Sequence, residues 1–467
     1  MTQTPSPALP ANVPGALSPV FRWIVLTVMS LICFAQYYIY DSITPLGTLI
    51  KSELGFSGAE YGLLFSFYAV ANVFLLMVLV GGILVDRLGL KTSGILYGSL
   101  CVLGAALTAL GGWQGLRGLP GYEALRTAFV PEWSPELKVM LLGRMIYGVG
   151  AESILVVNNK VLARWFKGRE LAFAYGLNLT IMRLGTFLAL TLQARVAGWL
   201  GLRPALWFAV GVMIAGFLSF FVYLALERST RGRPGAPATA TGGLGADEKF
   251  ELREAFAFDA SFWFITLLCV TFYSAVFPFQ SYAPDILVQK FGYSVERSGD
   301  LTSALIVGTM IFTPIFGAFV DRRGRRATLM LIGSLLLIPC HLLLGYTRFW
   351  PVVPIFAVGV ALSLVPAALW AAIPMMVEER RLGTAFGVVG YVQNLGLMAF
   401  PWIAGKIADA HTVRTVVDGK ATEVVDYTST MAMFATLGIA GFVFALLLKR
   451  ADAKAGGKLE RPKGATE

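Results

Sequence analysis

The sequence predicts an all-α integral membrane protein of twelve transmembrane helices, arranged as two pseudo-symmetric six-helix bundles. Three observations predict this class. The 467 residues are 56% hydrophobic and only 14% charged, whereas a soluble domain carries about 25% charged residues. Apolar stretches of about 20 residues, enough to cross a bilayer, recur along the whole chain. One short motif also appears at the same place in each half.

The apolar stretches form two sets of six, separated by a segment rich in Gly, Pro, Ala and charge, which is a linker composition. We predict a disordered cytoplasmic leader at residues 1–21, an N-terminal bundle at 22–226, a cytoplasmic linker at 227–259, a C-terminal bundle at 260–449 and a cytoplasmic tail at 450–467. The predicted spans are 22–45, 60–85, 92–112, 138–162, 171–195, 204–226, 261–285, 298–320, 327–347, 351–375, 383–405 and 430–449.

The net charge of +10 lies in short loops and in the tail. Because basic residues concentrate in the cytoplasmic loops of membrane proteins, we place both termini in the cytoplasm and expect no nucleic-acid partner. The chain has two histidines and no metal, nucleotide or nucleophile motif. We therefore expect no enzyme, no cofactor and no metal. The four cysteines fall inside apolar spans and are interpreted as packing residues: Cys33, Cys101, Cys269 and Cys340.

The repeated motif is G-x-x-x-D-R-x-G-x-[KR], which follows the second and the eighth predicted spans. We interpret it as a conformational switch in which Asp86 pairs with an arginine and a helix end in one conformation only. The first and second glycines would allow close helix approach and a tight turn, respectively. The alternative is a solvated loop pair. The switch residues are Gly82, Asp86, Arg87 and Gly89 in the first copy, and Gly317, Asp321, Arg322, Gly324 and Arg325 in the second.

Two opposite charges lie midway along consecutive spans, Glu152 in the fourth and Arg183 in the fifth. A charge near the bilayer centre costs at least about 2.5–3.5 kcal/mol, so it usually faces a protein interior or a wet cavity. We predict one polar site that binds a small solute with a cationic end, an anionic end or both. The alternative is that Glu152 and Arg183 neutralise each other and only join two helices.

Neutral polar and aromatic residues on other spans are candidates for the lining of the same site, with core packing as the alternative for each. These candidates are Tyr37, Tyr68, Asn159, Tyr273, Trp370, Tyr391, Gln393 and Asn394. Asp41 and Asp285 lie toward the outer ends of their spans, where water could solvate them, although Asp41 could also act in gating. We interpret Tyr61 as an interfacial anchor and His341 as a packing residue.

The two motif copies flanked by six plus six spans resemble the major facilitator superfamily. Several stretches further resemble its lysosomal dipeptide transporter branch. They are GVGAES, NN, RWFKGREL and MRLG around Glu152 and Arg183, FPF at 277–279, ERRLGTAFG at 379–387 and QNLGL at 393–397. The generic superfamily motif explains neither the stretch around the fourth and fifth spans nor QNLGL.

This resemblance implies transport of dipeptides by alternating access, with the amino end toward Glu152 and the carboxylate toward Arg183. It also implies uniport, although coupling to protons stays open, and an accessory subunit or a homodimer. The rivals are a proton-coupled organic-anion or drug carrier and a non-transporting sensor on a transporter fold. The chain shows no acidic dileucine signal and no exposed glycosylation sequon. We therefore expect a bacterial plasma membrane, with the lysosomal membrane as the alternative that the family offers.

Overall fold

The computed structural model describes residues 18–166, 170–230, 258–378, 381–417 and 420–462. Most of the predicted leader and most of the predicted linker lie outside the described residues, as does the end of the predicted tail. The described residues form two helical halves, one before and one after the linker.

The N-terminal half begins with Ser18, whose side chain accepts a hydrogen bond at the start of the first helix. The third helix starts in a capping box, where Ser57 and Glu60 satisfy each other's backbone amides. The helices are α1 Pro19–Asp41, α2 Gly47–Leu54, α3 Gly58–Phe74, α4 Met77–Gly111, α5 Tyr122–Thr127, α6 Pro135–Phe166, α7 Leu171–Leu200 and α8 Leu202–Thr230.

The C-terminal half repeats this pattern of long helices and adds a two-stranded hairpin that the sequence did not predict. Its helices are α9 Ala260–Phe291, α10 Val295–Arg323, α11 Arg326–Tyr346, α12 Val352–Met376, α13 Leu382–Ala410 and α14 Thr428–Lys454. The strands β1 Thr412–Val417 and β2 Lys420–Val425 pair antiparallel, with Thr412 opposite Val425.

Among the described residues, eleven helical segments are long and apolar enough to cross a membrane. The 17-residue α3 falls below that length, and it forms the second span together with the first part of α4. The predicted unbroken span at 60–85 is therefore wrong, because the helix breaks at Leu76, whose φ is +50°. Counted this way, the described part of the chain has twelve spans, the predicted number, and the all-α membrane class is confirmed.

The predicted tight turns of the repeated motif are present in both halves. Gly89 (φ +77°) interrupts α4, and Gly324 (φ +69°) separates α10 from α11. Both glycines adopt the left-handed conformations that other residues rarely tolerate. In this way the motif reverses the chain between the second and third spans of each half.

The two halves touch at one end of the spans, and we call this end the outer side. The opposite end carries the basic loops, and we call it the inner side. A Cβ at Gly405 of α13 would overlap the carbonyl oxygen of Gly58 in α3, and one at Gly299 of α10 would overlap that of Leu190 in α7. These two contacts bring the backbones of the halves together. Near the inner side, a Cβ at Gly82 or Gly317 would meet no atom within 4 Å. The predicted close helix approach at these two glycines is therefore wrong for this conformation.

Candidate functional site

A central cavity of about 190 Å³ lies between the two halves. The N-terminal half lines it from α1, α3, α6 and α7, and the C-terminal half lines it from α9 and α13. Its lining combines carboxylates, a guanidinium, tyrosines and amides. The lining residues are Gln36, Tyr37, Tyr40, Asp41, Tyr68, Tyr147, Glu152, Leu155, Arg183, Phe277, Gln393 and Leu397.

Glu152 projects into this cavity from α6 and is held by a neighbouring tyrosine. The hydroxyl of Tyr68 donates to Glu152 Oε1 at 2.8 Å. Tyr68 in turn packs edge-on against Tyr40, with ring centroids 4.8 Å apart. The carboxylate is thus oriented by one donor and keeps acceptor capacity on its second oxygen for a ligand.

Arg183 faces the same cavity from α7. Its guanidinium carbon lies 5.8 Å from the centroid of the Tyr37 ring, within the range of a cation–π interaction. Its buried Nε has no hydrogen-bond partner among the described residues. Within the described part of the chain, no ion pair within 4.0 Å joins Arg183 to Glu152. The hypothesis that these two charges only neutralise each other is therefore wrong for this conformation.

An aromatic layer backs the C-terminal wall of the cavity. Phe277 lines the cavity and stacks on Tyr273, with centroids 5.6 Å apart and ring planes 7° from parallel. Trp370 Nε1 donates to the Tyr273 hydroxyl at 3.1 Å, and its ring stacks on Phe386. Of the predicted aromatic candidates, Tyr273 and Trp370 thus support a lining residue and do not line the central cavity themselves.

Three other predicted residues do not line the central cavity. Asn159 is exposed, and its neighbour Asn158 is the buried one. Tyr391 lies outside the lining, and Asn394 donates to the Gly390 carbonyl of its own helix at 2.9 Å. On α13, only Gln393 among the three predicted candidates reaches the cavity.

Arg144 is a central residue that the sequence reasoning missed. It is 1% exposed and donates to the carbonyl oxygens of Leu64 at 2.9 Å, Ile39 at 3.3 Å and Tyr40 at 3.3 Å. Two of these carbonyls belong to the last turn of α1, where a cation is favourable. Arg144 therefore fixes α1, α3 and α6 around the cavity. A third charge within an apolar span was the signal that could have revealed it.

A buried cluster around Asp285 joins the halves on the outer side. Asp285 is 1% exposed and accepts from Thr48 Oγ1 at 2.6 Å, from the Lys51 ammonium and from the Tyr427 hydroxyl. Thr48 and Lys51 belong to the N-terminal half, whereas Asp285 and Tyr427 belong to the C-terminal half. The predicted solvation of Asp285 is wrong, because the carboxylate holds the halves together.

Asp41 and Tyr61 make similar contacts between the halves. Asp41 is 3% exposed, so its predicted solvation is wrong, and it accepts from Gln280 Nε2 at 2.8 Å. Tyr61 is 0% exposed and donates to the carbonyl of Ser281 at 3.0 Å. Tyr61 is therefore not an interfacial anchor. Together with the glycine contacts, these bonds close the outer side of the cavity.

The two copies of the repeated motif have different partners. Asp86 forms an ion pair with Lys160 of α6, so the predicted arginine partner is wrong here. In the second copy, Asp321 is exposed, and the C-terminal segment packs on the loop. Glu460 Oε1 accepts from the Thr328 amide at 2.8 Å, and the Glu460 carbonyl accepts from the Arg325 amide at 3.1 Å.

Two further observations concern groups away from the central cavity. His341 is buried between the rings of Phe279 and Phe434, with centroids at 5.0 and 5.7 Å, which agrees with the packing interpretation. Within the described ranges, no group of three or more His, Cys, Asp or Glu could hold a metal ion.

A second cavity of about 400 Å³ lies between α7 and α10, and we call it the α7–α10 cavity. It is mostly apolar and meets the central cavity at Arg183, which lines both. The lining residues are Phe173, Gly176, Leu177, Leu179, Thr180, Arg183, Thr309, Met310, Thr313 and Pro314.

The two-bundle fold with a charged cavity between the bundles defines a membrane transporter. The sequence profile of the Major Facilitator Superfamily matches residues 26–299 and 277–466. The chain belongs to this superfamily.

Curated relatives with similar sequences include the proteins named lysosomal dipeptide transporter MFSD1 from Homo sapiens and Pongo abelii. Each is 30% identical over 416 residues, which cover 87% of this chain and 84% of the relative. A protein of Cupriavidus necator named "Probable sulfoacetate transporter SauU" is 25% identical over 164 residues, or 35% of this chain and 32% of the relative.

Solved structures with a similar fold are also transporters. A mutant of the nucleoside transporter NupG has a TM-score of 0.70 at 16% identity, covering 91% of this chain and 99% of that one. A bacterial homolog of the human lysosomal transporter Spinster, in an inward-facing and occupied conformation, has a TM-score of 0.68 at 17% identity, covering 96% and 100%. At these identities the likeness concerns the fold alone.

Proposed function

We propose that this protein moves small zwitterionic peptides, dipeptides above all, across a membrane by alternating access. The observation that carries the proposal is the separation of Glu152 and Arg183 within one cavity between the halves. The name of the similar lysosomal dipeptide transporters supports the choice of substrate.

The two charges match the two ends of a dipeptide. Glu152 accepts hydrogen bonds from the ammonium group, and the guanidinium of Arg183 binds the carboxylate through a planar pair of donors. Gln36 and Gln393 offer neutral donors and acceptors for the peptide bond. A central cavity of about 190 Å³ suits a small solute, since pockets for drug-sized ligands measure about 300–1,000 Å³.

The closure of the outer side supports alternating access. The contacts at Asp285, Asp41 and Gly405 join the halves there, whereas Gly82 and Gly317 face open space near the inner side. Rocking of the halves would exchange these contacts for inner ones and expose the cavity to the other side. With both termini in the cytoplasm, this conformation faces the cytoplasm. We place the protein in a bacterial plasma membrane and assign it facilitated flux, driven by the solute gradient.

An organic-anion carrier is the second candidate function, and the different surroundings of the two charged groups favour it. Arg183 Nε has no partner among the described residues, whereas Glu152 already binds Tyr68. In that case Arg183 would bind an anion and Glu152 would only position neighbouring groups. The partial similarity to a relative named for sulfoacetate transport supports this candidate.

Uptake into liposomes by the purified protein tests the proposal. We would compare a labelled dipeptide with its N-acetylated and C-amidated forms, with and without an imposed pH gradient. The variants are Glu152→Gln and Arg183→Ala. The matched controls, Glu132→Gln and Arg348→Ala, remove the same charges from exposed loop positions.

We expect flux of the free dipeptide only, lost in both cavity variants and kept in both controls. If a pH gradient accelerates uptake, the transport is coupled to protons and is not facilitated flux. Transport of the N-acetylated form would favour the anion carrier, and binding without any flux would favour a sensor on a transporter fold.

A further inference from the structure

The α7–α10 cavity is lined mostly by apolar side chains, and it offers few free hydrogen-bond donors. Its three threonine hydroxyls already donate to carbonyls of their own helices: Thr180 to Gly176 at 3.0 Å, Thr309 to Leu305 at 2.9 Å and Thr313 to Thr309 at 2.7 Å. At its boundary, Arg183 Nε has no hydrogen-bond partner among the described residues. A polar occupant would therefore find few hydrogen-bond donors beyond Arg183.

The chemistry of a dipeptide connects this cavity to the central one. The carboxylate and the side chain of the C-terminal residue share one Cα atom, so a carboxylate at Arg183 places that side chain beside Arg183 as well. The rest of the peptide extends through the central cavity toward Glu152. Because Arg183 lines both cavities, the C-terminal side chain can extend into the second one.

We propose that the α7–α10 cavity binds the C-terminal side chain of the substrate and selects apolar side chains there. This inference rests on the proposed function. Burial of a leucine-sized side chain is worth about 1.5–3 kcal/mol, which corresponds to a preference of roughly tenfold or more over glycine. A cationic side chain is disfavoured, because it would lie beside the like charge of Arg183, and the lining residues include no carboxylate to pair with it.

One glycine allows the cavity to be filled without disturbing its walls. Gly176 lines the cavity, and a Cβ added there would meet no atom within 4 Å. Gly176→Leu therefore places a side chain in the open space of the cavity. Gly211 in α8 provides the matched control, since it is also a helical glycine with no atom within 4 Å of an added Cβ and lines neither cavity.

The experiment measures the affinities of Ala-Gly, Ala-Leu and Leu-Ala for the purified wild type, Gly176→Leu and Gly211→Leu by calorimetry. In the wild type we expect Ala-Leu to bind about tenfold more tightly than Ala-Gly. Gly176→Leu should abolish that difference while Ala-Gly keeps its affinity. Gly211→Leu should retain both values.

Equal affinities of Ala-Gly and Ala-Leu for the wild type would overturn the side-chain site and leave the proposed function intact. Equal weakening of all three peptides by Gly176→Leu would also overturn it, as would a preference for Leu-Ala that Gly176→Leu removes. If the wild type binds none of the three peptides, the proposed function fails, and the side-chain site fails with it.

Discussion

The two halves of the molecule contribute unequally to the central cavity. The N-terminal half supplies nine of the twelve lining residues, including all three charged ones, whereas the C-terminal half supplies one aromatic, one amide and one aliphatic side chain. The N-terminal half also contains Arg144, which fixes three helices around the site. Under the proposed function, this difference implies a division of labour, in which the N-terminal half recognises the solute and the C-terminal half covers it.

The largest expected effect concerns the two buried arginines, one in each half. Arg144 donates to three carbonyls of two helices, whereas Arg326 in the C-terminal half donates to the Arg461 carbonyl at 2.9 Å. Arg144→Leu removes three hydrogen bonds from a buried charged group to the backbones of α1 and α3, and we expect a loss of about 4 kcal/mol in the free energy of unfolding, against about 1 kcal/mol for Arg326→Leu. Unfolding in mixed micelles by titration with SDS measures both. Similar losses would remove this asymmetry between the halves.

Recognition by the N-terminal half predicts the next largest effect. Glu152→Gln should lower the transport rate of a dipeptide about 100-fold, because the substrate ammonium loses its charged acceptor. Gln393→Leu removes a neutral lining group from the C-terminal half and should lower the rate less than about fivefold. Initial uptake rates in liposomes measure both. The division of labour is wrong if Gln393→Leu matches Glu152→Gln.

A smaller effect is expected for the outer contacts between the halves. Lys51→Met removes the ammonium from the buried Asp285, which keeps Thr48 and Tyr427 as donors, and should increase opening of the outer side about tenfold, since a hydrogen bond to a charged group contributes about 1.5 kcal/mol. Thiol labelling of Gln289→Cys, which lines a cavity on the outer side, reports this opening. All four native cysteines are buried, so background labelling should be low.

Lys290→Met is the control for this measurement. Lys290 donates to the carbonyls of Leu344 and Gly345 within the C-terminal half, so its loss should leave labelling at position 289 unchanged. Faster labelling in both variants would show that Lys51 does not act by joining the halves.

The smallest expected effects are losses of stability at the two copies of the repeated motif. Glu460→Ala removes the side chain that accepts from the first turn of α11 and should lower the free energy of unfolding by about 1 kcal/mol. Lys160→Met breaks an exposed ion pair with Asp86 and should lower it by less than about 1 kcal/mol. The same SDS titration measures both variants. A larger loss of stability for Lys160→Met would show that the contacts of the C-terminal copy are not the stronger ones.

The sequence was sufficient to predict the helical spans and the two central charges. The length of each apolar stretch predicts a membrane span. Because a charge inside the membrane is costly, Glu152 and Arg183 predict a polar site without any knowledge of their neighbours. Sequence could not show which face of a helix meets the partner half. For that reason the sequence predicts solvation for Asp285 and the membrane interface for Tyr61, whereas both side chains are buried between the halves.

Position along a helix explains the remaining errors. Asn158 and Asn159 are adjacent, but one residue changes the direction of a side chain by about 100° on a helix with 3.6 residues per turn. The choice between them depends on the rotation of α6, which tertiary packing decides. Likewise, Tyr273 and Trp370 lie one layer behind the lining formed by Phe277, a distinction of depth that periodicity does not report.

The outer closure at Gly58 and Gly405 has a consequence for leakage. Because backbone atoms meet there, rotation of side chains, which takes about picoseconds to nanoseconds, cannot open a gap for water or ions. Passage requires the two helices to separate as rigid bodies, on the slower scale of about microseconds to milliseconds. Under the alternating access that we propose, the absence of side chains at this seam would prevent fast local fluctuations from dissipating a gradient between complete movements of the halves.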